Sequence, residues 1–210
     1  MPGIGIGNGN VSNPKHLTGN IENALANFIV ENGINWSIVI PIFPLPNVVL
    51  FPNVFLPLHI FEERYRRLVT DALKKDRVIG MVLLRSGSEQ KQVEKPPVFQ
   101  IGCSGVMTHA EKLPDGRYNI LLRGQEKFRI LAEEKNLSYR LARVEPIIQS
   151  QVDHEALLKA RGRLETVLTS HFDHLRVRRD LIASLKDENL VNALSQHLEF
   201  APVEKQALLE

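Results

Sequence analysis

Hydrophobic positions along the chain follow two periods, and the switches between them mark the elements. Ile21, Ala24, Leu25, Phe28 and Ile29 fall at i, i+3, i+4, i+7 and i+8, one face of an amphipathic helix. Asn20 can cap its start and Gly33 follows its end, so a helix is predicted over 21–31. Ile38–Phe43 reads as a strand, and Val48–Phe51 and Phe55–Leu58 as two shorter ones. The period then becomes helical. Phe61, Tyr65, Leu68, Val69, Ala72 and Leu73 share a face, with Glu62 and Glu63 in the first turn and Lys74 and Lys75 in the last, matching the helix dipole. Glu63 and Arg67 form an i,i+4 pair.

Further strands are predicted at Val78–Leu84, Val98–Met107, Tyr118–Leu122, Lys127–Leu131 and Tyr139–Val144. Ser86–Pro97 and Glu133–Ser138 read as polar loops. Pro114-Asp115-Gly116 is a hairpin signal with a mechanism, since proline presets φ and glycine supplies a positive one. After Pro146 the pattern is helical. Asp153 can cap a helix carrying Leu157, Ala160, Leu164, Val167 and Leu168, with Gly162 inside it. Leu181, Ile182 and Leu185 mark a second helix, Leu190, Val191, Leu194 and Leu198 a third, and Pro202 opens a last one through Leu209. Short strands punctuated by Gly and Pro, then helices, argue an α+β chain built on a small, mostly antiparallel barrel with one crossing helix.

Composition changes this picture little. A chain of 210 residues supplies one domain with an appendage. Lys and Arg number 26 against 24 Asp and Glu, a net charge of +2 and too balanced for a protein living on nucleic-acid phosphates. A single cysteine forms no internal disulfide, which suits a cytoplasmic protein. Residues 1–20 hold five glycines and four asparagines, with Lys15 the first basic residue, so they read as a flexible leader and not a signal peptide. From Asn32 to Phe61 no Asp, Glu, Lys or Arg occurs in 30 residues, long enough to span a bilayer. Pro41, Pro44, Pro46, Pro52 and Pro57 break any such helix, each at roughly 3 kcal/mol, and the run reads instead as buried strands with proline-bent corners.

Catalytic chemistry finds little support. Gly-Lys does not occur, so there is no P-loop, and the alternating Gly3, Gly5, Gly7 and Gly9 neither follow a strand nor open a helix. His171 and His174 lack an evident third metal ligand. Cys103 sits within a predicted strand and reads as a small core residue rather than a nucleophile. No G-x-S-x-G elbow is present, and nothing marks a Ser–Lys pair. Arg176, Arg178 and Arg179 are the densest basic group, but Asp173 and Asp180 interrupt it, and a solvated helix surface is the simpler reading.

Pro41-Ile42-Phe43-Pro44-Leu45-Pro46-Asn47-Val48-Val49-Leu50-Phe51-Pro52, then Leu56-Pro57-Leu58-His59-Ile60-Phe61-Glu62 and Arg64-Tyr65, resembles the opening of the N-terminal substrate-binding domain of Lon proteases. Ile79–Leu84, Gly102, Leu113–Tyr118, Leu122-Arg123-Gly124, Phe128-Arg129-Ile130, Tyr139-Arg140, Ala142-Arg143-Val144 and Glu204–Glu210 continue the likeness in order, over roughly 38–210. The resemblance implies a PUA-like pseudo β-barrel with a crossing helix, followed by a C-terminal helical bundle. We therefore expect a leader over 1–36, the barrel over 37–148 and the helical part over 149–210. Lon proteases continue into an ATPase and a Ser–Lys protease module. This chain stops at Glu210 without a P-loop, so a stand-alone bacterial, cytoplasmic protein of the family is expected, with no enzymatic activity. Cys103 stands where the family more often has threonine.

The implied role is non-catalytic recognition of unfolded or tagged polypeptides for a protease or chaperone system, with no cofactor, metal or membrane. The alternatives are an RNA-binding PUA-like protein and an uncharacterised hydrolase. Polypeptide recognition calls for an apolar surface with a polar rim. Phe51, Phe55 and Leu56 are its candidate lip, with His59 and Arg64 near the rim. Gly124 is expected to permit a tight turn.

Overall fold

The computed structural model describes residues 38–85, 96–134, 138–148, 153–171 (backbone alone for 169–171) and 184–210. The expected leader with its helix over 21–31, most of the loop 86–97, His174, the Arg176–Arg179 cluster, Leu181 and Ile182 lie outside these residues. The elements are β1 (Ile38–Leu45), β2 (Phe55–Ile60), α1 (Glu63–Leu73), β3 (Val78–Leu83), β4 (Ile101–Lys112), β5 (Tyr118–Glu134), β6 (Arg140–Pro146), α2 (His154–His171), α3 (Asp187–His197) and α4 (Pro202–Leu209).

The strands form one mixed sheet in the order β2-β5-β4-β3-β1-β6, and β5 also pairs with β6. The ring β5–β4–β3–β1–β6–β5 therefore closes on itself, and β2 hangs outside it as an edge. Among the described strands only β1 and β3 run parallel. Prolines inside a central strand look forbidding, because each removes a ladder donor. The register resolves this. β1 pairs with β6 through 38–42 and with β3 through 42–45, so Pro41 and Pro44 each sit where only one side of the strand is paired.

Three expectations need correction around β5. Tyr118–Leu122 and Lys127–Leu131 are not two strands but parts of one 17-residue strand. Its first half pairs with β2 and β4 and its second with β4 and β6. Register shifts near Cys103/Gly105, Met107/His109 and Ile130/Ala132 supply the bends that closure needs. At the first, the Ser104 hydroxyl donates to the Glu126 carbonyl (3.1 Å) and accepts from the Glu126 N–H (3.2 Å). Gly124 makes no turn. It lies inside β5, where an added Cβ would stand 2.0 Å from the Phe51 carbonyl oxygen, so it is needed for close approach. Val48–Phe51 is not a strand either. Val49, Leu50 and Phe51 are buried in succession, which an alternating strand does not do. The segment plugs the core, and its backbone is satisfied from outside. Phe51 N–H donates to Gln196 Oε1 (3.3 Å), Asn53 N–H to the Gly124 carbonyl (3.0 Å), and Gly124 N–H to the Val54 carbonyl (2.8 Å). β4 begins at Ile101 rather than Val98 and runs on to Lys112. Val98 makes only an isolated bridge to Leu84.

The hairpin forms as expected, with Gly116 at φ 83° and Leu113 N–H bonded to the Arg117 carbonyl (2.8 Å). In α1 the buried positions are Tyr65, Leu68, Val69 and Ala72, again as expected. Phe61 precedes that helix and is exposed, Lys74 is its C-cap, and Lys75 lies beyond it. The main core joins Phe51, Leu68, Met107, Leu122 and Leu209. Cys103 is fully buried within it, and burial pushes its thiol up to about 12.

Of the C-terminal helices, α3 and α4 reach this body, through Gln196 to Phe51 and through Gln206 and Leu209. Asp153 caps α2 through the Glu155 N–H (3.0 Å). Leu157 and Leu164 are half-buried and Leu168 is buried, but Ala160 and Val167 face solvent, contrary to the expected stripe. Arg161 takes the inner position, bonded to Glu165 (2.8 Å), to the Leu185 carbonyl (2.9 Å) and to Asp187 at the start of α3. α4 spans the expected residues, and its buried Gln206 donates to the Ile101 carbonyl of β4 (3.0 Å). Among the described residues no helix is long and apolar enough to cross a membrane, and no group of three His, Cys, Asp or Glu is placed to hold a metal.

Candidate functional site

β2 is an edge strand whose two faces differ. Leu56, Leu58 and Ile60 turn toward the core, while Phe55, Pro57 and His59 face outward. The alternation runs one residue past the strand. Phe61 is 63% exposed, and its ring stacks on His59 with centroids 6.4 Å apart. Phe55 is 52% exposed. Phe55, Pro57, His59 and Phe61 thus make one outward rim at spacing two, apolar but for the His59 ring nitrogens.

The open side of β2 has a specific limit. Gly124 N–H donates to the Val54 carbonyl, so ladder bonds to β5 fall next at the pairs 56↔122, 58↔120 and 60↔118. The backbone groups of 55, 57 and 59 then face outward. Proline has no N–H, so Pro57 interrupts the free edge and blunts strand-to-strand addition. A partner meets side chains here more than backbone.

Polar groups hold the rim in place. With the Asn119 oxygen accepting, His59 Nδ1 donates to it (2.8 Å) and Nε2 accepts from Arg117 Nη1 (3.2 Å). Asn119 in turn donates to Glu111 (3.2 Å). Arg117 also binds Asp115, at 3.0 Å through its backbone N–H and 2.6 Å through Nε. That backbone N–H, then the guanidinium, holds the Asp115 carboxyl below the usual carboxylate range. At the other end Arg123 reaches Asn53 (3.4 Å).

Of the five residues expected from the sequence, Phe55 and His59 share the outward face of β2, while Leu56 lies on the same strand with its side chain toward the core. Phe51 does not join them: it is 1% exposed and belongs to the core. Arg64 lies on the first turn of α1, pairs with Glu62 (2.8 Å) and sits over the Tyr65 ring at 4.5 Å. Phe61, Pro57, Arg117 and Asn119 were not picked. The spacing-two pattern from Phe55 to Phe61 carried that information, but Phe61 also fits the helical spacing to Tyr65, which hid it.

A closed strand ring carrying an edge-strand rim, followed by C-terminal helices, defines a class of mixed-sheet domain, and comparison with known proteins narrows it. The model of the ATP-dependent protease La (LON) substrate-binding domain matches residues 39–210, and the chain belongs to that family. Lon protease 2 of Syntrophobacter fumaroxidans is 28% identical over 173 residues, which cover 80% of this chain and 22% of the relative. Lon protease 2 of Herpetosiphon aurantiacus is 29% identical over 188 residues, 83% of this chain and 22% of the relative. The chain thus spans about a fifth of the length of these curated relatives. The N-terminal domain of Mycobacterium avium complex Lon protease superposes with a TM-score of 0.63 at 13% identity, and the Lon N-terminal domain protein from Xanthomonas campestris with 0.57 at 23%. Each alignment covers 82% of this chain and 90% of the neighbour, and at these identities the likeness is one of fold.

Proposed function

We propose that this domain binds unfolded or tagged polypeptide segments across the β2 rim and breaks no bonds itself. The observation that carries the reading is the outward row Phe55, Pro57, His59 and Phe61 on an edge strand, exposed apolar surface beside a polar border. Such a surface suits protein contact. The family's description as a substrate-binding domain supports the same role. We read the closed ring as a PUA-like pseudo-barrel over 37–148, with the helices of 149–210 as a bundle docked on it and residues 1–36 as a separate leader. The bound segments are passed to a protease or chaperone system in this reading.

Binding of a labelled, reduced unfolded protein by the purified chain tests it. We expect saturable binding that falls at least fivefold in a Phe55→Ser, Phe61→Ser double variant whose thermal unfolding is unchanged. A folded chain that binds no unfolded protein overturns the reading. So does turnover of peptide or ATP abolished by one side-chain replacement.

A further inference from the structure

Across the 113–117 turn from the rim, α1 and the β4–β5 hairpin enclose a groove of about 480 Å³, large enough for a residue-sized group. Its charges do not cancel locally. Arg67 pairs with Glu63, and Asp71 is engaged by Lys74 (3.3 Å) and by the Tyr139 hydroxyl (3.2 Å). Arg66 and Lys112 remain, and neither forms an ion pair among the described residues. Arg66 Nη1 reaches only the Asp115 carbonyl at 3.5 Å, and its Nε is buried without an acceptor. Lys112 Nζ hangs 6.0 Å from the Tyr118 ring centroid. The groove wall adds a hydroxyl pair, Thr70 and Tyr118, at 3.0 Å.

A guanidinium held partly out of water without a counter-charge is a standing cost that an anion relieves. The position of the groove says which anion. The turn that carries Asp115 against Arg66 also carries Arg117 against His59 of the rim. Tyr118 and Lys112 of the groove alternate with Asn119 and Glu111 of the rim side, so the two sites lie on opposite faces of the hairpin, and a chain on the rim reaches the groove by folding round the 113–117 turn. We propose that the groove takes a carboxylate of the bound polypeptide, with Arg66 and Lys112 as its partners. The proposal rests on the polypeptide reading above and adds a chemical preference to it: apolar residues next to an acid.

Fluorescence anisotropy with three labelled decapeptides of one apolar sequence decides the matter. One ends in a free carboxylate, one is amidated, and one is amidated with a single internal Asp. At least one of the acids is expected to bind about fivefold more tightly than the plain amide, and which one identifies a chain terminus or a side chain as the source. The advantage disappears in Arg66→Gln and in Lys112→Gln, and it shrinks as salt rises. Lys112 is exposed, so its variant reads out binding even where Arg66→Gln unfolds. Equal affinity for all three peptides overturns the carboxylate site and leaves the rim standing. Binding of none of them by the folded chain overturns both. Equal peptide affinities together with RNA binding that the two variants abolish overturns it in favour of a phosphate backbone.

Discussion

Residues 46–54 and 55–61 are neighbours in one uncharged stretch with the same taste for proline, phenylalanine and branched aliphatics, yet they meet opposite ends. In the first, Val49, Leu50, Phe51 and Val54 are all below 8% exposed. In the second, Phe55 and Phe61 are 52% and 63% exposed. Hydropathy does not separate them. What does is the availability of backbone partners. The first segment finds Gly124 and Gln196 for its irregular chain, so 49–52 can be buried in succession. The second is a regular edge strand with the core on one face alone, so its alternate side chains stay outside.

The contrast is broken most forcefully at Phe51. Phe51→Ala leaves a large hole in the main core, and we expect a loss of about 3–5 kcal/mol in urea unfolding. A loss near that of a surface site would mean that 46–54 is not a plug. Gly124→Ala tests the same plug from the opposite wall. Its new Cβ meets a backbone oxygen, which cannot rotate away, so β5 or the 51–54 segment has to shift. The expected cost is about 1–3 kcal/mol. A neutral effect would show that the two segments are not pressed together.

Much of this organisation is legible before any coordinates. The helix at Pro202 starts where proline is tolerated, the 114–116 turn follows from its residue types, and the inner face of α1 follows from period. Local physics decides these. Gly124 reads as a turn residue because the reason for it lies in Phe51, far away in sequence, and a glycine needed for approach looks like a glycine needed for a turn. Phe51 reads as part of the lip because hydropathy alone does not separate it from Phe55. The helical period points Ala160 and Val167 inward, yet both are exposed. The inner position went to Arg161, whose value depends on Asp187 in another helix. Residue type and strand period place Phe55 and His59 on the outer face of an edge strand, while Leu56 alternates inward.

A smaller effect separates the sides by pH. Cys103 shares the core with Phe51, and its thiol is raised to about 12 from 9.0. A raised folded value means that the protonated form favours the fold. The contribution is complete below about pH 9 and is lost as pH rises toward 12. By pH 10 the wild type is expected to lose about 1 kcal/mol more than Cys103→Ala, relative to pH 8, in paired urea titrations. Equal losses would place the thiol within reach of water. In the native state at pH 8 the same thiol is expected to resist a thiol reagent that labels it in urea.

The smallest expected change in stability is the most informative about the rim. Phe55→Ala removes an aromatic ring, as Phe51→Ala does, four residues along the same stretch. Half of the Phe55 residue is already in water, and its strand partner Arg123 is exposed, so no cavity forms. We expect a change within about 0.5 kcal/mol, while affinity for unfolded protein falls. A rim kept only for packing would give the reverse: a stability loss approaching that of Phe51→Ala, with binding unaltered. The ratio of the two readouts across Phe51, Phe55 and Phe61 therefore separates a surface held out for partners from one left over by the fold.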